Sequence, residues 1–136
     1  MSNSIFRTGC FLLMFLLFSA CENWSEVEKL QAEVEAIHDA PMMKIEELEN
    51  LQNSAGKLLA TADPAKKADL GKFITEAQAA HDAMFGWMNQ YHAPEKGKMA
   101  KKAAIDYLNQ QKIAANSMSQ QVLTAVERGK KLLTDK

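Results

Sequence analysis

Apolar residues recur along most of this chain at spacings of three and four. The first stretch consists of Val27, Leu30, Val34, Ile37, Ile45, Leu48, Leu51, Ala55, Leu58 and Leu59. The second consists of Leu70, Phe73, Ala77, Ala80, Met84, Trp87 and Tyr91. The third consists of Ala104, Leu108, Gln111, Ala115, Met118, Val122, Ala125, Gly129 and Leu132. Such spacing lines one face of an α-helix, and no segment alternates with period two. The pattern therefore predicts three amphipathic helices and no strands.

Capping residues and prolines place these helices at about residues 25–60, 64–92 and 98–133. Ser25 and Glu28 have the spacing of a capping box, which predicts that a helix begins there. Pro41 interrupts the first stretch and predicts a kink, because proline removes one backbone donor. Two helices, with the second starting near Pro41, are the alternative. Asp63 is a suitable cap for a helix whose first residue is Pro64.

Short connectors between long helices predict the fold. Sequential helices joined in this way pack as antiparallel neighbours. The expected fold is all-α, an elongated antiparallel three-helix bundle over residues 27–136, with seams like those of a coiled coil. The polar Gln111 lies within the third seam, so self-association through the seams is an alternative use of these faces.

The first twenty residues have the pattern of an export signal. An apolar run over 11–18 follows Arg7 and ends in Ser19, Ala20 and Cys21. The run is too short to span a bilayer, so it predicts a secretory signal peptide over 1–20. Residues 18–21 resemble a bacterial lipobox, which implies cleavage before Cys21 and attachment of palmitate-type acyl chains to it. We expect residues 21–26 to be a lipid-anchored linker at the outer membrane of a bacterial envelope.

Charge is distributed unevenly, although the chain has a formal net charge of −1. Residues 22–50 hold nine acidic and two basic side chains, whereas 95–136 hold nine basic and four acidic ones. The first and third helices run parallel in the predicted bundle, so pairing between them is expected. A basic third helix that meets an acidic partner or membrane headgroups is the alternative. The near-neutral total gives no electrostatic basis for binding nucleic acid.

Histidine and methionine residues form the one candidate chemical cluster. A turn near Ala62 would place Met42 and Met43 opposite His81 and Asp82, and His38 opposite residues 85–88. Thioether and imidazole groups together suit Cu(I). The candidate metal ligands are His38, Met42, His81, Met84 and Met88. Methionine also fills irregular helical cores, and that interpretation is favoured over metal binding. Trp87 and Tyr91 are candidate interaction residues.

Catalytic motifs are not recognisable in the sequence, which contains neither a Gly-rich phosphate loop nor Gly-x-Ser-x-Gly. Cys10 would leave with the signal peptide and Cys21 would be acylated, so neither cysteine would supply a thiol. We therefore expect no enzyme. The expected function is that of a non-enzymatic interaction or structural module in the envelope, bound to a protein partner or to itself. Copper binding is the alternative.

Three segments of the mature chain carry a resemblance to a family. They are 38–42 (His-Asp-Ala-Pro-Met), 84–88 (Met-Phe-Gly-Trp-Met) and 107–112 (Tyr-Leu-Asn-Gln-Gln-Lys). They resemble motifs of uncharacterised short helical lipoproteins of Gram-negative bacteria, some of which are labelled viral A-type inclusion protein. The resemblance implies a lipid-anchored helical protein and implies no particular activity.

Overall fold

The computed structural model describes residues 23–134, which form four helices. These are α1 (Ser25–Met42), α2 (Ile45–Leu59), α3 (Pro64–Gln90) and α4 (Lys101–Thr134). The described part of the chain contains no strand, which confirms the all-α bundle. Within residues 23–134, no helix has the length and hydrophobicity needed to cross a bilayer. The predicted signal peptide, 1–20, and Cys21 lie outside the described residues.

The predicted helix over 25–60 is divided into α1 and α2. Pro41 has no N–H to donate to the carbonyl of Ile37, so the helical ladder is already weakened there. Two residues later the chain leaves the helix, and the Lys44 N–H donates to the Pro41 carbonyl at 2.9 Å in a tighter turn. The structure therefore has the two helices of the alternative, with the break at Met43 and Lys44 and α2 beginning at Ile45, in place of the predicted kink at Pro41.

Helices α1 and α2 follow α4 in the same direction. Successive ion pairs connect Glu26 to Lys101 at 3.2 Å, Glu33 to Lys112 at 2.7 Å, and Glu47 to Lys130 at 2.9 Å. These contacts confirm the predicted pairing of the acidic first stretch with the basic last helix. Each pair is at least partly exposed to water, so it orients the helices more than it stabilises them.

Two apolar clusters form the core along the length of α4. One lies between α1 and the first half of α4, and consists of Trp24, Val27, Val34, Ala104, Leu108 and Ala115. The other joins α2, α3 and the second half of α4, with Leu48, Leu70, Phe73, Met84, Met118 and Val122 among its members. Trp87 packs against both clusters and so connects them. The predicted seams of α3 and α4 account for most of these residues, but Leu58 of the first stretch is 45% exposed.

The helix ends agree with the sequence at one site and differ at another. Asp63 Oδ1 accepts a hydrogen bond from the Lys66 N–H at 3.0 Å, as predicted for a cap before Pro64. At the start of α1, the predicted capping box does not form. Instead, Asn23 Oδ1 accepts from the Ser25 N–H at 2.9 Å. Trp24 is only 7% exposed, so residues 24–26 belong to the bundle and not to a linker.

The connector between α3 and α4 is longer than predicted. It runs over residues 91–100, whereas the predicted helices 64–92 and 98–133 left only 93–97 between them. Gly97 has a φ of +86°, a left-handed conformation that side-chain-bearing residues rarely adopt. The longer connector shifts the antiparallel register, so that Tyr91 lies beside Tyr107.

Candidate functional site

Four aromatic rings form a continuous stack where α1, α3 and α4 meet. The His38 and Trp87 ring centroids are 5.4 Å apart, those of Trp87 and Tyr91 are 4.8 Å apart, and those of Tyr91 and Tyr107 are 6.4 Å apart. All three pairs are stacked, with interplanar angles of 27°, 16° and 13°. The contact of His38 with Trp87 confirms the predicted position of His38 opposite residues 85–88. Because its rings come from three helices, this ring stack holds the middle of the bundle together.

The ring stack contains buried polar atoms that lack hydrogen-bond partners. They are His38 Nε2, Trp87 Nε1 and the Tyr91 hydroxyl. A buried polar atom without a partner costs about 1–3 kcal/mol, so such groups are uncommon in folded proteins. Three of these atoms therefore lie together in one stack.

The two tyrosines at one end of the stack differ in their surroundings. Desolvation raises the pKa of Tyr91 to about 12, with smaller contributions from Glu35 and Tyr107. Its phenol therefore remains neutral over the physiological range. The hydroxyl of Tyr107 accepts a hydrogen bond from the backbone N–H of His92 at 2.9 Å. That bond fixes the start of the α3–α4 connector against α4.

The second predicted histidine, His81, lies apart in a different set of contacts. Its ring is tilted against Phe85 at a centroid distance of 4.4 Å. His81 Nε2 is 3.4 Å from Glu49 Oε1 of α2, and Nδ1 is 3.5 Å from Asp82 Oδ1 without a hydrogen bond. The predicted pairing of His81 with Met42 and Met43 is therefore wrong. Met43 lies in the break and is 80% exposed. The residue opposite His81 is Glu49 of α2.

The predicted metal ligands are distributed over different environments. Met84 is fully buried in the core of α2, α3 and α4, because it lies on the apolar seam of α3. Met42 and Met88 are 38% and 36% exposed. The five candidates thus do not share one accessible surface. In the described chain, no group of three or more His, Cys, Asp or Glu side chains is arranged to hold a metal ion.

Helix α4 presents a long uncharged surface. Residues 113–126 contain no acidic or basic side chain, and within them Ile113 is 74% exposed and Leu123 is 38% exposed. A shallow groove of about 390 Å³ follows this surface between α3 and α4. It is lined by Glu76, Ala79, Ser117, Gln120, Gln121, Thr124 and Ala125. Sequence reasoning did not single out this surface, although the missing charges are visible in the sequence.

Tyr107 is the residue of the ring stack that sequence reasoning did not assign to a site. Tyr107 is the seventh residue of α4, so its place beside Tyr91 can be predicted only if the connector is known to contain ten residues. Comparison with protein-family models, with curated proteins and with solved structures gave no match to this chain.

Proposed function

We propose that this chain is a lipid-anchored envelope protein, attached to a membrane through acyl chains on Cys21. One juxtaposition carries the proposal. The lipobox-like segment 18–21 ends three residues before Trp24, and Trp24 is already packed in the core. A signal-peptide pattern that ends directly before a folded bundle supports export of that bundle. The resemblance to short Gram-negative lipoproteins supports the same interpretation.

Its proposed role is that of a non-enzymatic interaction module. The uncharged stretch 113–126 of α4 supports this role, because it carries two exposed apolar side chains, Ile113 and Leu123, and no charged one. The surface extends for about four helical turns, which is enough to contact a helix of a partner or of a second copy. The outer membrane is the proposed location.

Two measurements test anchoring and interaction separately. Intact-mass analysis of the full chain purified from membranes is expected to show removal of residues 1–20 and acylation of Cys21. An unmodified Cys21 would contradict the anchor. For the interaction, a photoreactive amino acid replaces Ile113 in cells, and the matched control replaces the exposed Lys72 of α3. One reproducible adduct from position 113, and none from 72, is expected. Equal adducts, or none, would contradict the role of this surface.

Binding of a soft metal ion such as Cu(I) is the second candidate function. Two imidazole nitrogens favour this function, since His38 Nε2 and His81 Nδ1 both lack hydrogen-bond partners. A neutral imidazole nitrogen with a free lone pair is a metal ligand. Met42 is one helical turn from His38 and retains exposed surface, so it is the thioether best suited to join it. The buried Met84 is not part of this narrower proposal.

A competitive Cu(I) titration of the purified full chain tests this candidate. Tight binding that falls at least about tenfold in His38→Ala, and is unchanged in His92→Ala, is expected for a site at His38. His92 is an exposed histidine outside both imidazole sites and is therefore the matched control. If all three proteins bind equally or none binds, the metal function is rejected.

A further inference from the structure

The end of the bundle that holds Trp24 also carries a concentration of lysines. Residues 95–102 include four lysines and one glutamate, within the α3–α4 connector and the first turn of α4. Lys101 at the start of α4 is 3.2 Å from Glu26 at the start of α1, which places both helix starts at one end. The lysine side chains of this end are thus close to the point where the chain enters the fold.

A fixed turn presents these lysines to solvent. The Lys98 N–H donates to the Glu95 carbonyl at 3.1 Å, and Gly97 supplies the positive φ that the turn requires. The side chains of Lys98 and Lys102 are 72% and 86% exposed. Met99 between them is 39% exposed. We call Lys96, Lys98, Met99 and Lys102 the lysine tip.

The distance from Cys21 to the fold is short. Three peptide links separate Cys21 from Trp24, so the two residues are at most about 11 Å apart. Trp24 is buried and its carbonyl accepts from the Glu28 N–H at 3.0 Å, so the chain is held in the bundle from Trp24 onwards. An acylated Cys21 would therefore hold this end of the bundle within reach of lipid headgroups.

We propose that the lysine tip rests on anionic phospholipid headgroups, so that the bundle stands with the start of α4 toward the membrane. This inference rests on the proposed acylation of Cys21. Lysine ammonium groups near an anionic bilayer surface are attracted to it. The existing partners of the exposed lysines are weak competitors. Lys98 pairs with Glu95 and Lys102 with Asp106, each within its own local segment and exposed to water.

A distance measurement tests the orientation. The acylated full chain is reconstituted into vesicles of phosphatidylcholine with phosphatidylglycerol. Single thiols are introduced by Lys98→Cys at the lysine tip or by Lys67→Cys, an exposed lysine near the opposite end of the bundle. Energy transfer from a dye on each thiol to an acceptor on the headgroups is expected to give a short distance at 98. At 67 the distance is expected to be about 40–50 Å longer, since α4 alone is about 51 Å long. Equal distances at the two positions would overturn the proposal.

Charge reversal tests the partner independently of the anchor. The mature chain with Cys21→Ser is sedimented with the same vesicles, since residues 24–133 supply both core clusters without the acyl chains. Binding is expected to fall at least about tenfold in Lys96→Glu/Lys98→Glu/Lys102→Glu. It is expected to change less than twofold in the matched variant Lys57→Glu/Lys67→Glu/Lys72→Glu.

Intact-mass analysis of Cys21 and the vesicle sedimentation assay together separate the proposed anchor from the proposed lysine tip. An unacylated Cys21 with vesicle binding that depends on the lysine tip would reject the anchor and retain the tip. Acylation combined with equal loss of binding in both triple variants, or with no binding to anionic vesicles, would retain the anchor and overturn the lysine tip.

Discussion

The ring of Phe73 occupies the space that a Cβ atom on Gly129 would fill. A Cβ built at Gly129 would lie 2.5 Å from Phe73 Cζ and 2.8 Å from Cε2. It would also lie 3.2 Å from Leu51 Cβ. The absence of a side chain at this position therefore allows α2, α3 and α4 to meet around one aromatic ring.

Gly129→Ala is expected to destabilise the bundle by about 1–3 kcal/mol, because the added methyl group overpacks the core. The better helix propensity of alanine offsets this cost by up to about 1 kcal/mol. Urea denaturation followed by circular dichroism measures the difference.

Gly71→Ala is the matched control, since a Cβ there would have no atom within 4 Å. That variant is expected to be more stable than the original chain by up to about 1 kcal/mol. Equal stabilisation by both substitutions would contradict the close contact at Phe73.

The apolar seams were predictable because residues spaced by three and four positions line one face of an α-helix. Leu70, Phe73, Ala77 and Ala80 are all buried, as the spacing requires. The helix break was predictable in kind but not in position. Pro41 removes one backbone hydrogen bond of the helix. The residue at which the helix then ends depends on packing against α4.

The ring stack was only partly predictable, since its geometry depends on connector lengths. The short turn between α2 and α3 allowed His38 to be matched to residues 85–88. The connector of α3 and α4 contains ten residues, more than the gap between the predicted helices 64–92 and 98–133, so the pairing of Tyr91 with Tyr107 did not follow from the sequence. The lack of hydrogen-bond partners at Trp87 and Tyr91 has no sequence signature, because it depends on three helices at once.

The ion pairs of α1 and α2 with α4 are expected to make stability depend on acid pH. The hydrogen bond from Lys112 lowers the pKa of Glu33, and those from Lys130 and Lys44 lower the pKa of Glu47, both from 4.5. A lowered folded-state pKa stabilises the protein above the unfolded value, and the effect is lost as the pH falls through the folded value. The melting temperature is therefore expected to fall as the pH drops below about 4.5, the value from which both pKa values are lowered.

Glu33→Gln/Glu47→Gln is expected to reduce this acid dependence, since the paired carboxylates are removed. Glu28→Gln/Glu46→Gln removes two carboxylates from the same helices and is the matched control. If both double variants lose the same part of the pH dependence, the specific pairs with Lys112 and Lys130 do not cause it.

Trp87 is expected to tolerate loss of its indole nitrogen but not of its ring. Trp87→Phe removes a buried donor that has no acceptor but also part of the packed ring system, so its cost is expected to be about 1–2 kcal/mol. Trp87→Ala removes the ring that connects the two core clusters and is expected to cost about 2–4 kcal/mol. Denaturant unfolding compares the two variants, and similar costs would contradict the expectation that an aromatic ring alone maintains most of the contact between the clusters.

Tyr91 is expected to ionise only at strongly alkaline pH. The chain has two tyrosines, and burial raises the pKa of Tyr91 from 10.0 to about 12. Absorbance of the phenolate is expected to include a late component near pH 12 that is missing in Tyr91→Phe. Because the folded-state pKa is raised, its contribution to stability is present below pH 10 and is lost as the pH rises through about 12. Tyr91→Phe should therefore lose less stability than the original chain between pH 10 and 12. Tyr107→Phe is the matched control and should retain the late component, whereas its disappearance there would assign the raised pKa to the wrong tyrosine.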